Sequence, residues 1–241
     1  MIELLWNAPV SESRMTEILD VLELNAGQRV LDIGCGYGEV LIRLYEQYQI
    51  TGTGIELSGE HIAEARRRKQ GRVPDSQVEF IEADAGAFPF EQSSYALALC
   101  LGATHAFALG SDAYRNALAR MIPLVESGGQ LLIADGYLKQ PAGPEYRALL
   151  GEAIPDEMTH AANVTTGQQL GLVPLAAWTS SEQEWDDFEW RYQRIVERKA
   201  REQPEDQGLQ EKLQRRREWM QAYLQWGRDT LGYGLYLFQK P

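Results

Sequence analysis

Apolar positions recur at helical spacing over residues 11–24, at Met15, Ile18, Leu19 and Leu22, and Asn25-Ala26-Gly27 then breaks the pattern ahead of the short apolar run 30–33. That order predicts helix, stop, strand. The pattern then alternates: helix over 38–48 (Val40, Leu41, Leu44), strand 51–56, helix 59–70, strand 77–82, a turn, strand 95–101, helix 111–125 and strand 129–135. Short strands separated by helices of this length predict βαβ units and a doubly wound parallel sheet covered on both faces.

The last hundred residues read differently. A short helix around PAGPEYRALLG and a Pro- and Thr-containing connector over 154–166 precede a predicted strand at 172–179. Two long charged amphipathic stretches follow, SEQEWDDFEWRYQRIVERKAREQ and, after Pro204, EDQGLQEKLQRRREWMQAYLQWGRD, before the strand-like YGLYLF. The chain therefore reads as one domain, with an N-terminal helical segment (1–24), a core over 25–140 and a helical insertion over 181–228 between the last two of seven strands.

Composition narrows the function. With 23 Lys and Arg against 35 Asp and Glu the net charge is −12, which repels the phosphate backbone of a nucleic acid. No run approaches a membrane span, and the N-terminus has no basic n-region, so a cytoplasmic protein is expected. Cys35 and Cys100 lack His or Cys neighbours at ligand spacing, which suggests neither a zinc site nor a disulfide scaffold.

The chemistry begins at VLDIGCGYGE, where Gly34, Gly36 and Gly38 occupy the first βα turn, the usual ligand site of an open parallel sheet. Glu56 ends the second strand about 20 residues later, where a carboxylate accepts hydrogen bonds from a ribose diol. That supports an adenosine-containing cofactor. A dinucleotide fingerprint would place glycine at 39, where this chain has Glu, a negative charge set against a negative ligand. There is no GxxxxGK[ST] loop either, so the pattern suits a cofactor without phosphates.

VLDIGCGYGE, GTGIELS, FIEADAGAFPF, ALALCLGATHAF and LVESGGQLLIAD, in that order over about residues 12–140, resemble the motifs of the class I S-adenosylmethionine-dependent methyltransferases. The whole chain is similar to a bacterial small-molecule branch of that family. The resemblance implies a Rossmann-like seven-stranded sheet with an antiparallel last strand. It also implies S-adenosyl-L-methionine as cofactor and, as binding residues, Asp32, Gly34, Cys35, Gly36 and Gly38 for the methionine and ribose end. Glu56 and Leu57 then take ribose and adenine, Asp84 and Ala85 the adenine edge, and Cys100, Leu101 and Gly102 line the sulfonium end.

Methyl transfer is an in-line displacement that rests largely on positioning, and a base is needed only if the nucleophile arrives protonated. His105 is the candidate base. His61 and His160 read as solvent-facing or structural. The acid-Pro-Pro-aromatic signature of DNA amino methylases is replaced here by LGATHAF, so a small molecule is the expected acceptor. Asp135, Tyr137 and, on the insertion, Trp190 are candidate substrate contacts. If the strand at 172–179 is parallel to the others, the insertion emerges at the ligand edge and forms a lid, with Trp185, Trp190, Tyr192 and Trp219 as its aromatic wall. An adenosyl or NAD enzyme of other chemistry, and a non-catalytic cofactor-binding module, remain the alternatives, and oligomeric state has no signature in the sequence.

Overall fold

In a computed structural model, which describes residues 4–108, 110–151 and 154–241, the chain folds around a single seven-stranded sheet of order β3-β2-β1-β4-β5-β7-β6. Residues 1–3 of the expected N-terminal segment lie outside the described residues. The elements run α1 (Glu12–Asp20), β1 (Arg29–Ile33), α2 (Glu39–Tyr48), β2 (Thr51–Glu56), α3 (Gly59–Lys69), β3 (Val78–Glu82), β4 (Tyr95–Leu101), α4 (Ala113–Met121), β5 (Val125–Leu138), α5 (Pro144–Leu150), α6 (His160–Gln169), β6 (Val173–Thr179), α7 (Glu182–Glu202), α8 (Gln207–Ala222) and β7 (Leu231–Gln239).

Alternating side chains of the strands feed two apolar layers. Leu97, Leu99, Leu132, Ala134, Tyr233 and Leu235 point to the face covered by α1, α2 and α3, whereas Ala98, Cys100, Ile133, Tyr236 and Phe238 point to the face covered by α4 and α6. β7 runs antiparallel to both β5 and β6, so β6 is parallel to β1–β5, and the order of strands reverses between β1 and β4. Thr179 pairs with Gly234 and Asp135 pairs with the same Gly234, which brings the start of the helical insertion out at the sheet edge where β1–β5 end.

Two elements depart from the sequence reading. The connector over 154–166 contains helix α6, capped by Thr159, whose hydroxyl accepts from the Ala162 N–H. Its polar sequence carries no apolar stripe because it meets the sheet through Asn163 and Gly167; a methyl group on Gly167 would stand 2.3 Å from the Phe238 ring. Strand β5 is also longer than the predicted 129–135. It starts at Val125 and continues to Leu138, paired with Leu231.

In the insertion, α7 opens with a full capping box between Ser181 and Glu184. α7 and α8 then close on each other around Val196, Ala200 and Leu213 and around the buried pair Glu189 and Arg216, with the Trp219 indole donating to Glu189 at 3.0 Å. Residues 4–11 lie between this hairpin and the sheet edge. The Arg68 guanidinium donates to the carbonyls of Leu4 (3.0 Å) and Leu5 (3.3 Å), and the Ser11 N–H donates to Glu184 at 2.8 Å. Among the described residues no helix is long and apolar enough to cross a membrane.

Candidate active site

A cavity of about 520 Å³ opens along the carboxyl ends of β1–β4, within the size range of small-molecule sites. Its lining follows the order of the sheet. Asp84 and Ala85 follow β3, Glu56 and Leu57 belong to the end of β2, Asp32 and Gly34–Tyr37 to β1, Leu101 to Ala103 to β4, and Tyr233 and Leu235 to β7. Ten of the twelve cofactor candidates thus meet in one cavity; Gly38 and Cys100 do not line it.

The first βα turn is held by its own amides. The N–H groups of Gly34 and Cys35 donate to the Ile55 carbonyl (2.8 and 3.0 Å), that of Gly38 to the Cys35 carbonyl (2.9 Å), and that of Gly36 to a Glu56 carboxylate oxygen (3.1 Å). The second Glu56 oxygen accepts from the Ser58 N–H at 3.0 Å, tying β2 to the start of α3. A pyrophosphate cradle needs unspent N–H donors. Here Gly34, Cys35, Gly36 and Gly38 have already spent theirs, which disfavours a phosphate ligand. These spent amides, rather than the charge of Glu39, make that discrimination: Glu39 does not line the cavity and is buried between Arg43 (3.0 Å) and Arg72 (2.9 Å). Burial opposes its charge, but the hydrogen bonds from Arg72 and Arg43 prevail and hold the carboxyl below the usual range.

Asp32 is the opposite case. It is buried at 3% exposure and lines the cavity, and its carboxylate has no hydrogen bond or ion pair with any described residue. Desolvation, and secondarily the charge of Glu56, push its pKa up to about 7. A buried carboxylate facing a cavity without a partner is suited to a cationic ligand group. Leu57, at 72% exposure, offers an uncovered apolar side chain at the other end. Burial pushes both the Cys35 and Cys100 thiols up, so neither is an activated nucleophile.

After β4 the chain makes a tight turn over Thr104–Ala106, fixed by the Thr104 hydroxyl donating to Asp135. His105, on that turn, is exposed and lines the cavity. The substrate candidates sit elsewhere. Because β5 continues through Leu138, Asp135 and Tyr137 are strand residues on the α4/α6 face and do not line the cavity. Asp135 instead accepts from Thr104 and from the Gly136 N–H (2.7 Å), while Tyr137 packs its ring 5.6 Å from that of His160. Burial raises the Asp135 pKa, against the lowering effect of those two hydrogen bonds and of nearby His105.

None of the four aromatics proposed as a lid wall lines the cavity. Trp190 is exposed, Tyr192 lies under Arg216, and Trp219 serves Glu189. Trp185 stacks on Tyr223 and meets the ring of Tyr233 edge-on at 6.5 Å, so the insertion braces a cavity residue from behind. The residues that do complete the lining were not foreseen: Trp6, Asn7, Ala8 and Val10 of the N-terminal segment, Met15 of α1, Tyr37, His61, and Tyr233 and Leu235 of β7. His61, read as solvent-facing or structural, packs edge-on against Tyr37 at 4.7 Å, with Nδ1 3.7 Å from Glu56.

The sheet order and the cavity at its carboxyl edge have the organisation of the class I S-adenosylmethionine-dependent methyltransferases. Residues 30–129 match the family described as a methyltransferase domain. Over 95% of this chain and 91% of its relative, the sequence is 28% identical to the uncharacterized protein YjhP of Escherichia coli K12. The X-ray structure of E. coli YjhP superposes with a TM-score of 0.86 at 25% identity, covering 100% of this chain and 97% of the other. A SAM-dependent methyltransferase from Thiobacillus denitrificans, in complex with S-adenosyl-L-homocysteine, shares the fold at a TM-score of 0.87 and 24% identity over 98% and 94% of the two chains. The 27-O-demethylrifamycin SV methyltransferase of Amycolatopsis mediterranei is 34% identical over 55% of this chain, a match that spans 48% of that enzyme.

Proposed function

We propose that the cavity binds S-adenosyl-L-methionine along the order of the sheet and that the chain transfers its methyl group to a small molecule. The unpartnered Asp32 carboxylate carries this reading, because it suits the ammonium of the methionine moiety and would otherwise be a buried charge with no compensation. Glu56 accepts the ribose hydroxyls, Leu57 and Ala85 cover the adenine, and Asp84 faces its amino group. Gly34, Cys35, Gly36, Leu101 and Gly102 bring backbone close to the sulfonium end, and Gly38 and Cys100 support that wall from behind. A solved structure of the same fold in complex with S-adenosyl-L-homocysteine, and the similarity to a 27-O-demethylrifamycin SV methyltransferase, support the cofactor and a small-molecule acceptor.

When bound, S-adenosylmethionine supplies an electrophilic methyl group: the acceptor's lone pair forms the new bond as the carbon–sulfur pair returns to sulfur, leaving S-adenosylhomocysteine. The protein's share is to orient the acceptor, exclude water and take up any proton released. In this reading His105, which lines the cavity, takes that proton, and the Thr104 and Asp135 hydrogen bond keeps its turn in place.

Titration calorimetry tests the reading directly. S-Adenosylhomocysteine should bind and NAD should not; the reverse pattern would remove the cofactor assignment. A Glu56→Ala protein is expected to bind S-adenosylhomocysteine about 1.5–3 kcal/mol more weakly, the worth of hydrogen bonds to a charged group. For His105→Ala, turnover is expected to fall by about a hundredfold while calorimetric affinity for S-adenosylhomocysteine stays level. Equal turnover would leave His105 without a role as base.

A further inference from the structure

The cofactor reading accounts for the cavity from Asp84 to Gly102 and leaves its far end, between β4 and β7, without an occupant. That end is framed by Ala8, Val10, Met15, Leu235 and Tyr233, an apolar wall with one polar tip. The Tyr233 hydroxyl is that tip. Tyr233 is 6% exposed, its oxygen makes no hydrogen bond with any described residue, and a methyl placed on Gly102 would stand 3.0 Å from it. Burial raises the phenol well above its ordinary pKa, with the charge of Asp135 adding to it, so the group stays a neutral donor and acceptor.

A buried hydroxyl without a partner is destabilising, and here it lies beside Gly102, next to the sulfonium end of the cofactor reading. Its location calls for a hydrogen-bonding group brought in by a ligand. The charge of the cavity says what kind of ligand. Asp32, Glu56 and Asp84 line it, and among the described residues no lysine or arginine does. The cofactor engages those acids, and the far end itself, framed by Ala8, Val10, Met15, Leu235 and Tyr233, carries no charge, so a phosphate or carboxylate on the acceptor would be buried there with no counter-charge from the protein.

Resting on the methyl-transfer reading above, we propose that this end is the acceptor subsite, and that it takes an uncharged, largely apolar molecule whose hydroxyl or other neutral nucleophile hydrogen-bonds to Tyr233. Trp185 holds the phenol from behind, and the N-terminal segment closes the subsite from above.

The test is a metabolite extract divided on an anion exchanger into unretained and retained fractions, each incubated with the enzyme and methyl-labelled S-adenosylmethionine. Label should enter compounds of the unretained fraction. A Tyr233→Phe protein should incorporate at least tenfold less, with an unchanged affinity for S-adenosylhomocysteine and a melting temperature equal to or above the parent's, since the variant deletes an unsatisfied buried hydroxyl. A purely structural role would instead lower the melting temperature. Label confined to retained, anionic compounds, or full incorporation by Tyr233→Phe, overturns the subsite while leaving the cofactor site intact. Absence of label from every fraction overturns the methyl-transfer reading, and the subsite with it, whereas failure to bind S-adenosylhomocysteine would place the error in the cofactor assignment itself.

Discussion

A Gly38→Ala protein is expected to be about 2–5 kcal/mol less stable than the parent, the combined effect of left-handed strain and core overpacking. Gly38 caps α2 at φ +71°, a conformation that a side chain resists. The added methyl would also lie 2.4 Å from the Phe80 ring and 2.9 Å from the Ala65 methyl. Phe80 is itself buried in the layer under α2 and α3, so its ring has nowhere to swing. In thermal unfolding the loss corresponds to roughly 5–20 °C for a chain of this size. Gly36→Ala is the matched control: it shares the left-handed φ (+52°), but its methyl meets nothing within 4 Å and projects beside the cavity. It should melt within a few degrees of the parent and lose affinity for S-adenosylhomocysteine instead. If Gly38→Ala melted with the parent, Phe80 would have to yield more easily than its packing implies.

The contrast between these two glycines also shows what the sequence can convey. Gly34, Gly36 and Gly38 are legible because a backbone approach leaves a fixed residue type at a fixed spacing, and Glu56 and Asp84 are legible because they end strands whose apolar runs are unmistakable. The βα alternation from residue 29 to 138 was readable for the same reason. Direction was readable too, since a parallel β6 and an antiparallel β7 put the insertion at the ligand edge. Register was not. Asp135 and Tyr137 stood at and just beyond the end of the expected strand 129–135; β5 runs on to Leu138, and pairing with β7 sets their side chains on the face away from the cavity. The acceptor end was equally hidden, since it joins Ala8, Val10 and Met15 from one end of the chain to Tyr233 and Leu235 from the other. No local pattern marks a wall assembled across such a separation, and an alternating YGLYLF says only that a strand is present. Glu39 carries a related lesson: its charge was plain in the sequence, but Arg72, 33 positions away, decided where that charge points.

Replacing Asp32 with asparagine should lower affinity for S-adenosylhomocysteine by about 2–5 kcal/mol, the range for removing one member of a buried charge pair. That is about 30-fold to several thousandfold. The same residue should impose a pH dependence. With a pKa of about 7 in the free protein, Asp32 is largely protonated at pH 6 and largely ionised at pH 8. An ammonium group binds the ionised form, so affinity should rise by about tenfold between those two pH values and then level off, with a proton released on binding near neutrality. The stability of the free protein has the opposite slope. A carboxyl whose pKa is raised by folding favours the folded state fully below its unfolded value near 3.8, and that contribution is lost as pH rises through about 7. Cofactor therefore stabilises most at the pH where the free site is most strained by its own charge. Asparagine cannot ionise, so Asp32→Asn should flatten both curves relative to the parent. Melting temperatures and calorimetry at pH 6, 7 and 8, with and without S-adenosylhomocysteine, read all of these together. A parent whose affinity is flat across that range, or a variant that keeps the slope, would mean that the cationic end of the cofactor is held by something other than Asp32.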